Sequence, residues 1–315
     1  MTELPSYDEL PLAADGGRSG WGVFGARDNI GLPNLLSPAK VLEAARLIRK
    51  GAVFPLNMEI DAVSPQLWGS RGNSRRNVIH QGSSIAFDDV YDNYFPQASS
   101  QWDSLGHVGY APGVFYNGAT EDDVAAGRRN TIDHWARRGL VGRGIVLDMV
   151  RTMQELDRPY NPGSSTAFTV SDLESARECA GIDMSPGDIL ILHTGFTGWY
   201  LKQNHATRVE LSRTATTPGL APGEEMCRYL WDSHVCAVAS DTFAVEVTPL
   251  DMRNPTGFLH RMLIGQFGMA LGELWWTEAL AADCAADGVY EIFLASSPMN
   301  AAGGLGSPAN ALAIK

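Results

Sequence analysis

The chain is poor in cysteine and in basic charge, and it holds no long apolar run. Four cysteines occur in 315 residues, Cys179, Cys227, Cys236 and Cys284, and none belongs to a C-x-x-C pair. That excludes a zinc ribbon and a thioredoxin-type redox site. Each cysteine has apolar neighbours, as in Val235-Cys236-Ala237-Val238, so buried, reduced core thiols are expected. Lys and Arg number 24 against 36 Asp and Glu, a formal net charge of −12. This surplus argues against a nucleic-acid backbone or an anionic membrane as principal partner. No apolar run approaches the roughly 18 residues that a membrane helix needs. The acidic stretch Met1–Glu9 lacks the basic-then-apolar order of a signal peptide, so a cytoplasmic protein is expected. The motifs G-x-S-x-G, H-E-x-x-H and G-x-x-x-x-G-K-[ST] are missing, which removes the usual serine hydrolase, zincin and P-loop readings. Gly20–Gly25 spells a lone G-x-G-x-x-G, and Gly303–Gly306 is glycine-rich. Neither has the strand–turn–helix context of a dinucleotide site.

What is present is a chain that is 44% hydrophobic and 19% charged, the profile of a soluble globular protein. No repeat or linker-like shift divides it, so one domain over 1–315 is expected, with 1–20 as an extended N-terminal arm. Ser37-Pro38 opens a helix with a capping residue and a proline at its first position. Val41, Ala44, Ala45 and Ile48 share one face of it, and Gly51 supplies a stop. Phe54, Leu56, Met58 and Ile60 alternate as in a half-buried strand. Ser171-Asp172-Leu173-Glu174 reads as a capping box for a helix ending near Ala180. Four short apolar runs, 145–150, 189–192, 235–239 and 290–295, suit strands covered on both faces. Helical patterns lie between them, so the class is α/β with a buried, partly parallel sheet.

Chemistry concentrates in the stretch Gln97–His107, where Asp103 and His107 stand with Gln97 and Gln101 among glycine and serine. Far along the chain, His260 and Glu273 flank Arg261–Gly272. Two carboxylates and one imidazole are what a hard-to-borderline divalent cation requires, although spacing alone does not join the two groups. His193 and Asp241 each follow a predicted strand, where α/β proteins tend to place sites, and both are pocket-lining candidates. Trp102, Phe115 and Tyr116 could stack on a flat substrate or simply pack their loop.

The chain resembles the cyclase family of metal-dependent hydrolases, which includes bacterial kynurenine formamidase and isatin hydrolase. That family carries H-x-G-T-H-x-D-x-x-x-H and then a downstream His and Glu about a dozen residues apart. Gln97–His107 matches this motif in length and keeps its Asp and last His, while His260 and Glu273 match the downstream pair. Similarity also runs through Trp21-Gly22, Gly31–Pro38, Pro186–Leu190 and Gly303–Pro308. The departures are Gln97 and Gln101, which stand where the family has its first two motif histidines.

The resemblance implies a swivelling β/β/α fold with a buried mixed sheet, and a homodimer or homotetramer. It implies metal-dependent hydrolysis of a small cyclic amide, formanilide or lactone, with metal-activated water. Asp103, His260 and Glu273 would hold one divalent ion, Mn²⁺ or Zn²⁺. Gln97 and Gln101 would be weaker carbonyl ligands, better suited to Mn²⁺, Mg²⁺ or Ca²⁺ than to Zn²⁺. His107 would act as the general acid/base. The alternative is a metal-poor ligand-binding protein, or a lyase or isomerase, on the same fold.

Overall fold

The structure, a computed structural model, describes residues 4–13, 17–82, 85–254 and 256–315. Its strands in chain order are β1 (Val53–Pro55), β2 (Arg75–Gln81), β3 (Ala86–Asp92), β4 (Gln101–Asp103), β5 (Val114–Phe115), β6 (Ala119–Thr120), β7 (Leu140–Asp148), β8 (Ala167–Phe168), β9 (Ile189–His193), β10 (Gly219–Leu220), β11 (Ala237–Ser240), β12 (Ala270–Glu273), β13 (Glu291–Ser296), β14 (Gly306–Pro308) and β15 (Ala311–Ile314). Nine form one sheet in the order β1-β15-β13-β7-β9-β11-β12-β4-β14. The pairs β7–β9, β9–β11 and β11–β12 are parallel, and the other pairs in this sheet are antiparallel. This is the mixed, buried α/β sheet that the apolar runs and the resemblance imply.

The central strands form where the sequence is continuously apolar. Every residue of β9 and β11 is buried, because helices cover both faces of a parallel sheet. Expected and observed boundaries differ where local chemistry competes. The run from Ile145 turns at Asp148, whose side chain accepts from Arg151 N and caps the helix Met149–Glu155, so Met149 and Val150 leave the strand. The helix expected from Ser171 opens earlier. Thr169 is its N-cap, and Thr169 with Asp172 forms the box, giving a helix Val170–Ala180. The first helix spans Pro38–Ala45 and ends well before Gly51, so Ala45 and Ile48 are exposed. The alternation beyond Phe54 yields only the short β1. Cys227, Cys236 and Cys284 are buried free thiols, but Cys179, near the end of Val170–Ala180, is exposed.

Part of the expected N-terminal arm, residues 1–3 and 14–16, lies outside the described residues. The described part packs on the body. Tyr7 N donates to Asp232 Oδ1 at 2.6 Å, Trp231 Nε1 donates to Pro5 O at 2.8 Å, and Leu4, Tyr7 and Leu10 are buried.

Two glycines bring the stretch 31–38 against the turn before β12. Gly31 has φ +73°, and a Cβ there would lie 1.9 Å from Gly268 O. Gly268 has φ +67°, and its Cβ would lie 2.5 Å from a Tyr116 ring carbon. Only glycine permits both the backbone conformation and the approach. By contrast, the hairpin β2–β3 exposes Val78, Ile79, Phe87, Val90 and Tyr91.

Candidate metal centre

The register of β12 against β4 builds the site. Glu273 pairs with Gln101 and Leu271 with Asp103, so alternation puts Glu273, Gln101 and Asp103 on one face of the sheet. The short helix Leu259–Leu263 lays His260 over that face. Ligand atoms of Asp103, His260 and Glu273 all lie within 4.8 Å of one another. The two groups that spacing could not join are thus joined by sheet pairing.

The details are those of a charged, water-poor pocket. His260 Nε2 is 2.9 Å from Glu273 Oε1 and 3.8 Å from Asp103 Oδ2. Its Nδ1 donates to Glu246, 2.8 Å from Oε2 and 3.0 Å from Oε1. Gln101 Nε2 donates to Glu273 Oε2 at 2.7 Å. Burial alone would lower the pKa of His260, but Glu246, Asp103 and Glu273 together raise it well above the usual histidine value. Burial would raise that of Asp103, yet the nearby His107, His260 and Arg71 hold it below the usual carboxylate value.

The donor set fits a divalent cation. Asp103 is fully buried, and neither of its oxygens accepts a hydrogen bond among the described residues. The same holds for the buried Gln101 Oε1. Orphaned buried oxygens are costly unless a cation or donor meets them. A cation in this pocket would meet these oxygens, and it would displace the proton that His260 Nε2 now points at Glu273.

His107 stands at the mouth. Its Nε2 lies 3.7 Å from Asp103 Oδ1, with 23% of its side chain exposed, so it can exchange protons with solvent. Gln97 is half-buried and lays its amide over Gly306, where a Cβ would be 2.3 Å from Nε2. Gly306 is the register partner of Asp103 on β14.

Four expected pocket residues, Trp102, Tyr116, His193 and Asp241, are placed elsewhere. Trp102 alternates with Gln101 and Asp103 and so faces the opposite side. There it is fully buried, edge-on to Trp275 at 4.9 Å, with Nε1 donating to Ser296 Oγ at 2.8 Å. Tyr116 is also fully buried, and its hydroxyl donates to Asp28 Oδ2 at 3.2 Å. Packing, not stacking on a substrate, occupies both rings. Phe115 is half-buried on β5. His193 and Asp241 do meet, at 3.8 Å, but not here. The β7–β9–β11–β12 registers put His193 on the face opposite Asp103 and Glu273.

Sequence reasoning missed Glu246. It is fully buried, and both its oxygens face His260. The available signal was a lone carboxylate inside the apolar run Ala244-Val245-Glu246-Val247, where an unpaired charge would be costly.

Comparison with known proteins bears on the family and the fold. A family model described as a putative cyclase matches residues 54–247. A solved structure described as a novel cyclase is 30% identical, covering 94% of this chain and 99% of that one, with TM-score 0.83. An isatin hydrolase bound to the product analogue thioisatinate is 15% identical, covering 87% and 94%, with TM-score 0.61. Isatin hydrolase A from Labrenzia aggregata, bound to benzyl benzoate, is 14% identical, covering 83% and 93%, with TM-score 0.59. At those identities the two isatin hydrolases speak for the fold alone. No curated protein sequence matches. Among the described residues no helix is long and apolar enough to cross a membrane. The family match spans more than half of the chain and the cyclase structure nearly all of it: the chain belongs to the cyclase family.

Proposed function

We propose that this chain is a metal-dependent hydrolase that opens a small C–N or C–O bond in a cyclic amide, formanilide or lactone. The observation that carries it is the convergence of buried Asp103, His260 and Glu273, with two carboxylate oxygens of Asp103 that accept nothing among the described residues. These three residues, with Gln101 Oε1, would hold Mn²⁺ or Zn²⁺. When bound, such an ion polarises a carbonyl and lowers the pKa of water. Glu246 holds the Nδ1 proton of His260, so that once the Nε2 proton is displaced Nε2 would face the ion. His107, at the mouth, takes the proton of the attacking water and returns it to the leaving group. We propose that a flat, partly apolar substrate is taken up in a cavity of about 430 Å³ lined by Trp68 and Phe243, whose rings stack 6.2 Å apart; the lining includes none of the metal-centre residues. Arg71, whose charge acts on Asp103, lies over the Phe243 ring at 5.9 Å.

One observation favours the metal-poor alternative: His260 and Gln101 already donate to the two oxygens of Glu273. Metal held by the Asp103–His260–Glu273 centre, read as the ion that Asp103→Asn loses, separates the readings. Screening lactones, imides and N-formyl aromatics with added Mn²⁺ or Zn²⁺ should give metal-dependent turnover. A metal-free protein that no added ion activates would overturn the hydrolase reading. We also propose a homo-oligomer, a dimer or tetramer. An isolated two-stranded hairpin is marginal in water, so the apolar exposure of β2–β3 supports a partner copy.

A further inference from the structure

On the other face of the sheet, the carboxyl ends of three adjacent parallel strands gather a second set of donors. Asp148 ends β7 and is the register partner of His193, which ends β9. Asp241 directly follows β11, and its Oδ2 lies 3.8 Å from His193 Nδ1. Glu278 reaches in from the first turn of the helix Glu278–Asp287 and rests on Gly198, where a Cβ would lie 2.1 Å from Oε1. Ligand atoms of His193, Asp241 and Glu278 lie within 4.8 Å of one another.

The hydrogen bonds here are half complete. Asp241 Oδ1 accepts from Thr194 N at 2.8 Å and from Thr194 Oγ1 at 2.7 Å. The other oxygen, Oδ2, is buried and accepts nothing among the described residues, although Asp241 is fully buried. His193 Nδ1 is 2.8 Å from Thr277 Oγ1, which leaves its second ring nitrogen without a bond among the described residues. Two carboxylates face one imidazole, so even a protonated His193 leaves one negative charge uncompensated. Asp148 adds to that charge, and Lys202 opposes it only at a distance. Burial pushes the carboxyls of Asp241 and Glu278 upward, and the charge of His193 does not cancel it. A proton or a cation would relieve that charge.

We propose that His193, Asp241 and Glu278 form a second divalent-cation site, separate from the Asp103–His260–Glu273 centre and on the opposite face of the sheet. One imidazole nitrogen and two carboxylate oxygens suit Mn²⁺ or Zn²⁺, and the carboxyl ends of parallel strands are where open sheets place ligands. Three protein donors, one of them half-exposed, make this the more exchangeable of the two positions.

Titration of the full chain with Mn²⁺ alone, following free ion by electron paramagnetic resonance, tests the site. In an Asp103→Asn/Glu273→Gln background the first centre is disabled, and about one ion per chain should still bind. Adding Asp241→Asn, which keeps an acceptor for Thr194, should abolish that binding. Adding Glu278→Gln, a half-exposed change that spares the core, should do the same. The proposal is overturned if the disabled background binds no Mn²⁺, or if its ion survives both further substitutions. Hydrolysis plays no part in the readout, so failure here is distinct from failure of the proposed function.

Discussion

Glu246→Gln tests whether the carboxylate behind His260 serves the metal centre or only the fold. Glu246 is fully buried and receives two donors from one residue, His260 Nδ1 at 2.8 Å and His260 N at 3.3 Å. A glutamine has nearly the same volume, and its carbonyl can still accept from Nδ1, so the cavity term is small and most of the geometry survives. What is lost is the negative charge that makes the imidazole a better donor. Removing such a partner typically weakens metal affinity about 10–100-fold, or about 1.4–2.8 kcal/mol. Glu246→Ala is a different perturbation. It orphans both donors and leaves a buried His260 without its counter-charge, a loss of about 3–5 kcal/mol in stability. The assay is Mn²⁺ affinity by chelator competition, paired with the melting temperature of the metal-free protein. The Gln variant should lose affinity while melting close to the parent, and the Ala variant should lose both. If Glu246→Gln binds Mn²⁺ within about twofold of the parent, outside the usual range, the positioning role is refuted.

His107→Ala should keep the metal stoichiometry of the parent but lose about 10²–10⁴-fold in turnover, whereas Asp103→Asn should lose activity together with the ion of the Asp103–His260–Glu273 centre, one ion per chain fewer than the parent; elemental analysis beside steady-state kinetics reads both. Asp172 is a pH test. Burial would raise its pKa, but bonds from Thr169 and Arg158 bring it below the usual carboxylate value. A depressed folded pKa gives stability that is present above about pH 4, the unfolded value, and is lost as pH falls through the folded value. Asp172→Asn should therefore cost about 1–3 kcal/mol at neutral pH, and denaturant melts should show the gap to the parent closing in acid; a gap independent of pH would contradict the assignment. Gly268→Ala combines a positive φ with a contact into the Tyr116 ring and should cost about 2–4 kcal/mol, a drop that differential scanning calorimetry would register.

How much of this was legible depended on whether the determinant was local. The runs from Ile145, Ile189 and Val235 announce their strands because strands buried on both faces must be apolar, whereas the run from Tyr290 gives a strand buried on one face only, with alternating burial. Strand β4 announces nothing. Gln101-Trp102-Asp103 is short and mostly polar, and only β12 and β14, far along the chain, make it a strand. Asp103, His260 and Glu273 were readable through their family spacing. Trp102 could have been placed correctly from alternation alone, since a residue between two site residues of one strand faces away from them. Glu246 was hidden because no spacing ties it to His260 before the loop 241–258 closes. The second cluster was half visible. His193 and Asp241 end predicted strands, but nothing in the sequence says that Glu278 will fold back onto Gly198.

The pairing of distant segments has a consequence for how the molecule is made. Val53 of β1 finds its partner only at Ile314, and Gln101 of β4 lies between Glu273 of β12 and Pro308 of β14. During synthesis, β7, β9, β11 and β12 can assemble progressively, but β4 must wait for its neighbours and β1 for the last strand. Non-local pairing of this kind slows folding and leaves strand edges bare in the interval. Asp103 belongs to one of the waiting strands, so an incomplete chain carries an open sheet edge and only scattered pieces of the metal centre. Binding of a cation at Asp103, His260 and Glu273 would then report that the sheet has closed, and a nascent or truncated chain would hold no competent site at that centre.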